Sequence, residues 1–194
     1  MNQKSFTVTL VAFLAAVSAQ DTYPSITVDY DGVMTELYVQ YPSWSEATTS
    51  ADNTAVSFDF NNKMYLSWSP TLDTSQYFTP DLLGGYLEYD VDMSQVGCGC
   101  LTAFYAVMMP AVDNVNDPFQ YCGSGSGAAA ACPEFDIMEA NKYGFRSTDH
   151  MCEPADEYGI FSECENRGSC TVDILDYEEE EYYGPGSSYT IDTT

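Results

Sequence analysis

The sequence of 194 residues has few positive charges: five lysines and arginines stand against 30 aspartates and glutamates, so the formal net charge is −25. A nucleic-acid-binding surface needs clustered lysine or arginine, and this composition therefore argues against a nucleic-acid partner. The same negative field repels polyanionic substrates. Neutral ligands such as glucans remain compatible with it.

Long apolar runs are also scarce. The N-terminus has one, in which Phe6 to Ala16 follow Lys4 and precede the small residues Val17-Ser18-Ala19. This is the pattern of a cleaved signal peptide. No later stretch reaches the roughly 18 apolar residues that a membrane span requires. We therefore expect a signal peptide at 1–19 and a secreted, extracellular domain at 20–194, with no membrane partner.

The sequence contains a single histidine, His150, and no Asn-x-Ser/Thr sequon. Its seven cysteines, in a secreted chain, predict disulfides rather than metal ligands. The Cys98-Gly-Cys100 spacing is too tight for a zinc knuckle, and one histidine offers little nitrogen ligation. We expect no metal site, and the odd number of cysteines leaves one thiol unpaired.

Helical periodicity is nearly absent, whereas short strand-forming runs recur between Gly, Pro, Asn and Asp. Within 86–93, apolar residues alternate with acidic ones, which predicts a strand with one buried face. Many short strands without helices predict an all-β antiparallel sandwich. The predicted strands are 25–30, 34–41, 55–60, 64–68, 86–93, 103–109, 134–140 and 188–192.

The run Glu134-Phe135-Asp136-Ile137-Met138-Glu139 carries three carboxylates on a predicted strand. In a regular strand Glu134 and Asp136 share a face, but Glu139 lies five positions from Glu134 and would point to the other side. A β-bulge between Asp136 and Glu139 would add the missing residue and return Glu139 to the same face. The spacing therefore predicts a bulge at this point.

Three carboxylates on one face can serve a retaining glycosidase, which uses one carboxylate as nucleophile and another as acid and then base. They can equally be the solvent-exposed face of a very acidic sandwich. The hexapeptide alone leaves both interpretations open.

The residues around it resemble glycoside hydrolase family 7, the fungal-type cellobiohydrolases and endoglucanases. The segment 132–141 is similar to the catalytic strand of that family, and His150 follows Glu139 at the spacing of its active-site histidine. The segments 83–94, 101–108 and 183–194 are similar to other parts of the same domain. The resemblance spans residues 83 to 194.

This resemblance implies a concanavalin A-like jelly roll of two curved antiparallel sheets. It also implies roles for single residues: Glu134 as nucleophile, Asp136 as its helper, Glu139 as acid/base, His150 as an assisting residue, and Tyr105 and Asn141 as substrate-binding residues. The family's domain is considerably longer, so we expect 20–194 to be its N-terminal part.

The same resemblance implies the disulfides Cys98–Cys122, Cys132–Cys152 and Cys164–Cys170, with Cys100 unpaired. The chain also departs from the family's pattern. Gly123-Ser-Gly125 replaces polar sugar-binding residues, the loop before the catalytic strand is reduced to 123–131, and Leu101 stands where asparagine is usual.

The function implied by the resemblance is hydrolysis of β-1,4-glucosidic bonds in cellulose or a related β-glucan. Such a reaction needs no metal or organic cofactor, and we expect a monomer whose partner is the polysaccharide. Two alternatives stay open: a family 16-like endoglucanase acting on β-1,3 or mixed-linkage glucan, and a carbohydrate-binding sandwich without catalytic activity.

Overall fold

The computed structural model describes residues 22–125, 129–168 and 170–173. The predicted signal peptide and the predicted strand at 188–192 lie outside these residues. Within them the chain is all-β: the strands form antiparallel sheets, and the helical content is one 3₁₀ turn at Thr74–Gln76. The all-β prediction is confirmed, and the sheets are consistent with a sandwich. No helix in these ranges has the length and apolar character to cross a membrane.

The strands of the described ranges fall into three sheets with the orders β1-β2-β5, β3-β4 and β6-β7-β8-β9. Their bounds are β1 Ser25–Tyr30, β2 Val33–Gln40, β3 Thr48–Thr49, β4 Val56–Ser57, β5 Tyr65–Ser67, β6 Thr102–Val107, β7 Glu134–Asn141, β8 Gly144–His150 and β9 Cys170–Asp173.

The first sheet begins with a tight hairpin. Strands β1 and β2 are joined by Asp31 and Gly32, both with positive φ (55° and 79°). An Asp-Gly pair favours this two-residue turn because its backbone twist matches that of the flanking strands. The sheet buries one face in a small apolar cluster whose buried members are Ile26, Leu37, Val39 and Ala47.

The four-stranded sheet contains the acidic hexapeptide on β7, an internal strand that is paired with β6 on one side and β8 on the other. A two-residue turn joins β7 to β8, and the Asn141 side chain accepts a hydrogen bond from the Tyr143 amide at 2.8 Å. Asparagine stabilises turns in this way. Apolar residues on one face of the sheet pack together; they are Met138, Ala140, Phe104 and Phe145, with Met93 and Val96 from the preceding loop.

The predicted strand at 86–93 is wrong. This segment forms no β-ladder with any described residue, and it lies largely exposed, with Tyr86 at 89%. Strand propensity and alternation do not create a strand unless a neighbour supplies the ladder hydrogen bonds. Met93, at its end, is the position that enters the core.

The disulfide pairing implied by the resemblance is also wrong. The bonds are Cys122–Cys132 and Cys152–Cys164, and the thiols of Cys98, Cys100 and Cys170 are free. The free thiol of Cys100 was expected; those of Cys98 and Cys170 were not.

Short loops explain the observed pairs. The reduced loop 123–131 closes on itself through a bridge between Gly123 and Ala131, which brings Cys132 beside Cys122. A second bridge pairs Cys152 directly with Cys164. Each cysteine therefore meets a partner that is close in sequence.

We predict that replacing Cys122 and Cys132 by serine lowers the free energy of unfolding by about 2–3 kcal/mol, because the unfolded chain loses a loop constraint. Denaturant unfolding measures this. Replacing the exposed Cys98 and Cys100 by serine is the matched control, with an expected change within about 0.5 kcal/mol. Peptide mapping that found Cys132 joined to Cys152 would contradict the assignment.

Candidate active site

Strand β7 contains a bulge at the predicted place. Asp136 pairs with Thr148 and Glu139 with Arg146, so two residues of β7 lie opposite one residue of β8. On the other side Ile137 is skipped in the pairing with β6. The Ser147 hydroxyl donates to the Asp136 carbonyl at 2.9 Å, which satisfies a backbone acceptor beside the irregularity.

The bulge places the acidic residues on one face of the sheet. Directly paired residues of antiparallel strands point to the same side. Glu134 is paired with His150, Asp136 with Tyr105 and Thr148, and Glu139 with Ala103 and Arg146. The carboxyl groups are also close enough that those of Glu134 and Glu139 both act on the titration of Asp136. The three acids therefore belong to one site.

Glu134 is held by the loop that the Cys122–Cys132 disulfide closes. The backbone amide and the hydroxyl of Ser124 both donate to its Oε2, at 2.6 and 2.9 Å. Ser124 is buried, and its loop is tied to the start of β7 by the Cys122–Cys132 bond. Two donors on one oxygen fix the orientation of the carboxylate.

Asp136 and His150 form a buried pair. His150 Nε2 lies 2.9 Å from Asp136 Oδ2, and its Nδ1 donates to the Glu165 carbonyl at 2.7 Å. Nε2 and Oδ2 therefore share one hydrogen bond, with a single proton between them. The Glu165 carbonyl fixes the ring, since a carbonyl can only accept.

The pKa values of both members of the pair are raised. Burial raises the pKa of Asp136 to about 6, and the charges of Glu134 and Glu139 add to the rise while His150 opposes it. For His150, burial lowers the pKa, but the Glu165 carbonyl and the Asp136 carboxylate outweigh it and the net shift is upward.

Glu139 is half-buried on the same face as Asp136. The Thr148 hydroxyl is 3.5 Å from its Oε2, at the limit of a hydrogen bond. A shallow cleft of about 330 Å³ adjoins Glu139 and is lined by Leu101, Phe145 and Arg146, among others. Glu139 therefore lines this cleft together with Asn141, near the turn between β7 and β8.

Aromatic residues from the first sheet and the 111–121 loop meet the site on the side of Glu134. Tyr65 stacks on Phe119, with ring centroids 5.2 Å apart, and tilts against Tyr121. The Tyr105 hydroxyl donates to that of Tyr121 at 3.4 Å. Burial raises the pKa of Tyr65, Tyr105 and Tyr121, so these hydroxyls stay neutral.

Gly123 occupies a position that has no room for a side chain. A Cβ there would lie 2.8 Å from the Tyr121 hydroxyl and 3.0 Å from Glu134 Oε2. The close approach of the loop to the carboxylate therefore depends on glycine.

The structure brings five of the predicted site residues together: Glu134, Asp136, Glu139, His150 and Tyr105. Asn141 lies at the end of β7, where its amide donates to the Cys100 carbonyl at 3.0 Å and its oxygen accepts from Tyr143. These contacts stabilise a turn. The role of Asn141 in substrate binding stays a prediction.

Sequence reasoning missed Ser124, Tyr121 and Lys63, whose ammonium lies over the Tyr121 ring at 3.2 Å from its centroid. Ser124 carried no motif of its own within the glycine-rich run 123–127. Its position two residues after a cysteine and ten residues before Glu134 was the available signal.

A scan against protein-family models finds no match to this chain. The resemblance to family 7 stays an expectation from the sequence motifs.

We predict that Asp136→Asn flattens the pH dependence of stability. Raised pKa values of Asp136 and His150 mean that the folded state binds protons more tightly than the unfolded state. Their stabilising contribution is complete below the ordinary Asp value of 3.8 and is lost as pH rises, for Asp136 up to about 6 and for His150 above 6.5. The wild type should therefore lose more stability between pH 4 and 8 than the variant.

Urea unfolding at several pH values measures this difference. The exposed Asp29→Asn is the matched control and should keep the wild-type slope, since the charge change is equal and the pair is intact. Parallel curves for the wild type and Asp136→Asn would contradict the prediction.

We predict that Gly123→Ala lowers the free energy of unfolding by about 1–3 kcal/mol, because its Cβ must displace the Tyr121 hydroxyl or Glu134. Gly125→Ala, two positions along the same loop, meets nothing within 4 Å and should change stability by less than about 0.5 kcal/mol. Equal effects of the two substitutions in thermal or denaturant unfolding would refute the close-packing argument.

Proposed function

We propose that this protein is a retaining glycoside hydrolase that cleaves β-1,4-glucosidic bonds of a neutral β-glucan such as cellulose. The observation that carries the proposal is the bulged strand β7, which gathers Glu134, Asp136 and Glu139 on one face beside His150. A family 7-like jelly roll and an extracellular location belong to the same proposal. The two disulfides support the latter.

The first chemical step is attack by Glu134 on the anomeric carbon. Ser124 holds Oε2 with two hydrogen bonds, so Oε1 is the attacking oxygen. Glu139, at the cleft, donates its proton to the departing glycosidic oxygen as that bond breaks. The products of this step are a glycosyl ester on Glu134 and a shortened glucan.

The second step releases the sugar. Glu139, now ionised, takes a proton from a water molecule, which attacks the anomeric carbon and restores the Glu134 carboxylate. Two inversions at the same carbon give net retention of configuration. No metal or redox group takes part in either step.

Asp136 and His150 control the charge between the two catalytic carboxylates. With a pKa of about 6, Asp136 can be neutral in a mildly acidic medium, where it adds no third negative charge to the site. Its bond to His150, which the Glu165 carbonyl fixes, keeps it in place in either protonation state. This arrangement suits a mechanism in which Glu134 is the nucleophile and Glu139 is the acid.

The surroundings suit a neutral sugar chain. The net charge of −25 disfavours polyanions. Tyr105 on β6 is paired directly with Asp136 on β7. A tyrosine offers both a ring face and a hydroxyl to a sugar. The cleft beside Glu139 provides space for the leaving part of the chain.

We predict that Glu134→Gln reduces hydrolysis of dinitrophenyl β-cellobioside by about a thousandfold or more, because the nucleophile is lost. Glu157→Gln, an exposed substitution outside the site, is the control and should leave the rate unchanged. NMR of the first product should show the β-anomer. Unchanged turnover in Glu134→Gln, or an α-anomer, would refute the mechanism.

Comparison of substrates separates the remaining interpretations. Faster hydrolysis of laminarin than of cellulose would favour a family 16-like endoglucanase. Binding of β-glucan without bond cleavage by the wild type would favour a non-catalytic carbohydrate-binding protein.

A further inference from the structure

We propose that Lys63 is a positioning residue for the nucleophile Glu134 and acts on it through the ring of Tyr121. Its ammonium nitrogen lies 3.2 Å from the centroid of that ring, in direct cation–π contact. Tyr121 lies three residues before Ser124, whose amide and hydroxyl both donate to Glu134. The inference rests on the proposed function, because it assigns Lys63 a part in the same reaction.

The backbone of Lys63 is held in place as well. It precedes β5, and its backbone amide donates to the buried Ser45 hydroxyl at 2.9 Å. The side chain is half-buried: burial lowers the pKa of Lys63, while the carboxylates of Glu134 and Asp117 oppose this shift. A cation that is drawn out of water and faces two carboxylates and a ring has a defined position.

Tyr121 is held on its other sides as well. Its amide donates to Asp117 Oδ2 at 3.3 Å, and its hydroxyl accepts from Tyr105 at 3.4 Å. Cys122, the next residue, is bonded to Cys132 at the start of β7. Lys63 on the ring and the disulfide on the backbone therefore restrain the segment 121–124 from two directions.

The restraint reaches the reacting carboxylate through two short contacts. The Tyr121 hydroxyl packs against Gly123, and Ser124 donates twice to Glu134 Oε2. Without the ammonium the ring loses its cation–π contact, and the Ser124 donors lose their fixed position. A misplaced carboxylate lowers the rate of the chemical step more than it weakens substrate binding.

The test isolates the nucleophilic step. With dinitrophenyl 2-deoxy-2-fluoro-β-cellobioside, Glu134 forms an ester bond to the anomeric carbon while the bond to dinitrophenolate breaks and the phenolate leaves with the electron pair. No general acid is needed, and the ester persists. Intact-mass spectrometry gives the labelled fraction with time, and its final amplitude counts the correctly folded sites.

We expect Lys63→Met to lower the labelling rate constant at saturating reagent about three- to tenfold, with little change in the half-saturating concentration. Lys63→Arg should restore most of the rate, since guanidinium also binds ring faces. Lys142→Met is the matched control: this lysine lies 5.2 Å from the Tyr143 ring, away from Glu134, and its loss should leave the rate unchanged.

A double-mutant cycle with Tyr121→Leu completes the test. If the two residues act as one unit, adding Lys63→Met to Tyr121→Leu slows labelling no further. A purely structural role would lower the final amplitude or the melting temperature and leave the rate constant of the remaining sites unchanged, which would overturn the proposal.

The remaining outcomes are also decisive. Labelling of Lys63→Met at the wild-type rate would overturn the role of Lys63 while the proposed function stands. A slow Lys63→Arg would show that the cation on the ring is not the cause. Absence of labelling in the wild type would refute the proposed function itself, and the role of Lys63 with it.

Discussion

The site depends on one additional residue in an internal strand. Hydrogen bonds on both sides fix the direction of β7, so a regular strand would turn Glu139 away from Glu134. The bulge corrects this offset by one position and leaves the rest of the ladder intact. Because the three carboxylates share a face, the charges of Glu134 and Glu139 add to the rise in the pKa of Asp136 that burial causes.

The site also depends on residues that are distant in the sequence. The sheet that contains β7 supplies the acids, whereas Lys63 and Tyr65 come from the N-terminal part of the chain and meet the 111–124 loop beside Glu134. Glycine at position 123 permits this close approach. The N-terminal sheet is therefore part of the support of Glu134.

Much of this could be predicted from local patterns. Strand β1 was predicted at its observed bounds, the bulge was predicted from an odd spacing, and the grouping of His150 with the acids followed from the resemblance. Strand β8 was missed because its polar residues show no strand pattern until β7 and β9 pair with it. The disulfides and Lys63 depend on which loops meet in space, which local propensity does not encode.

The exposed segment at 86–93 has a consequence for the behaviour of the protein in solution. Exposed apolar side chains such as those of this segment favour pairing between copies of a chain, and so does a free strand edge. Strand β6 has such an edge, since β7 is its one partner among the described strands. Glu88, Asp90 and Asp92 alternate with those apolar residues. Two copies that approached through this segment would bring like charges together, so the acidic residues act as a barrier to self-association.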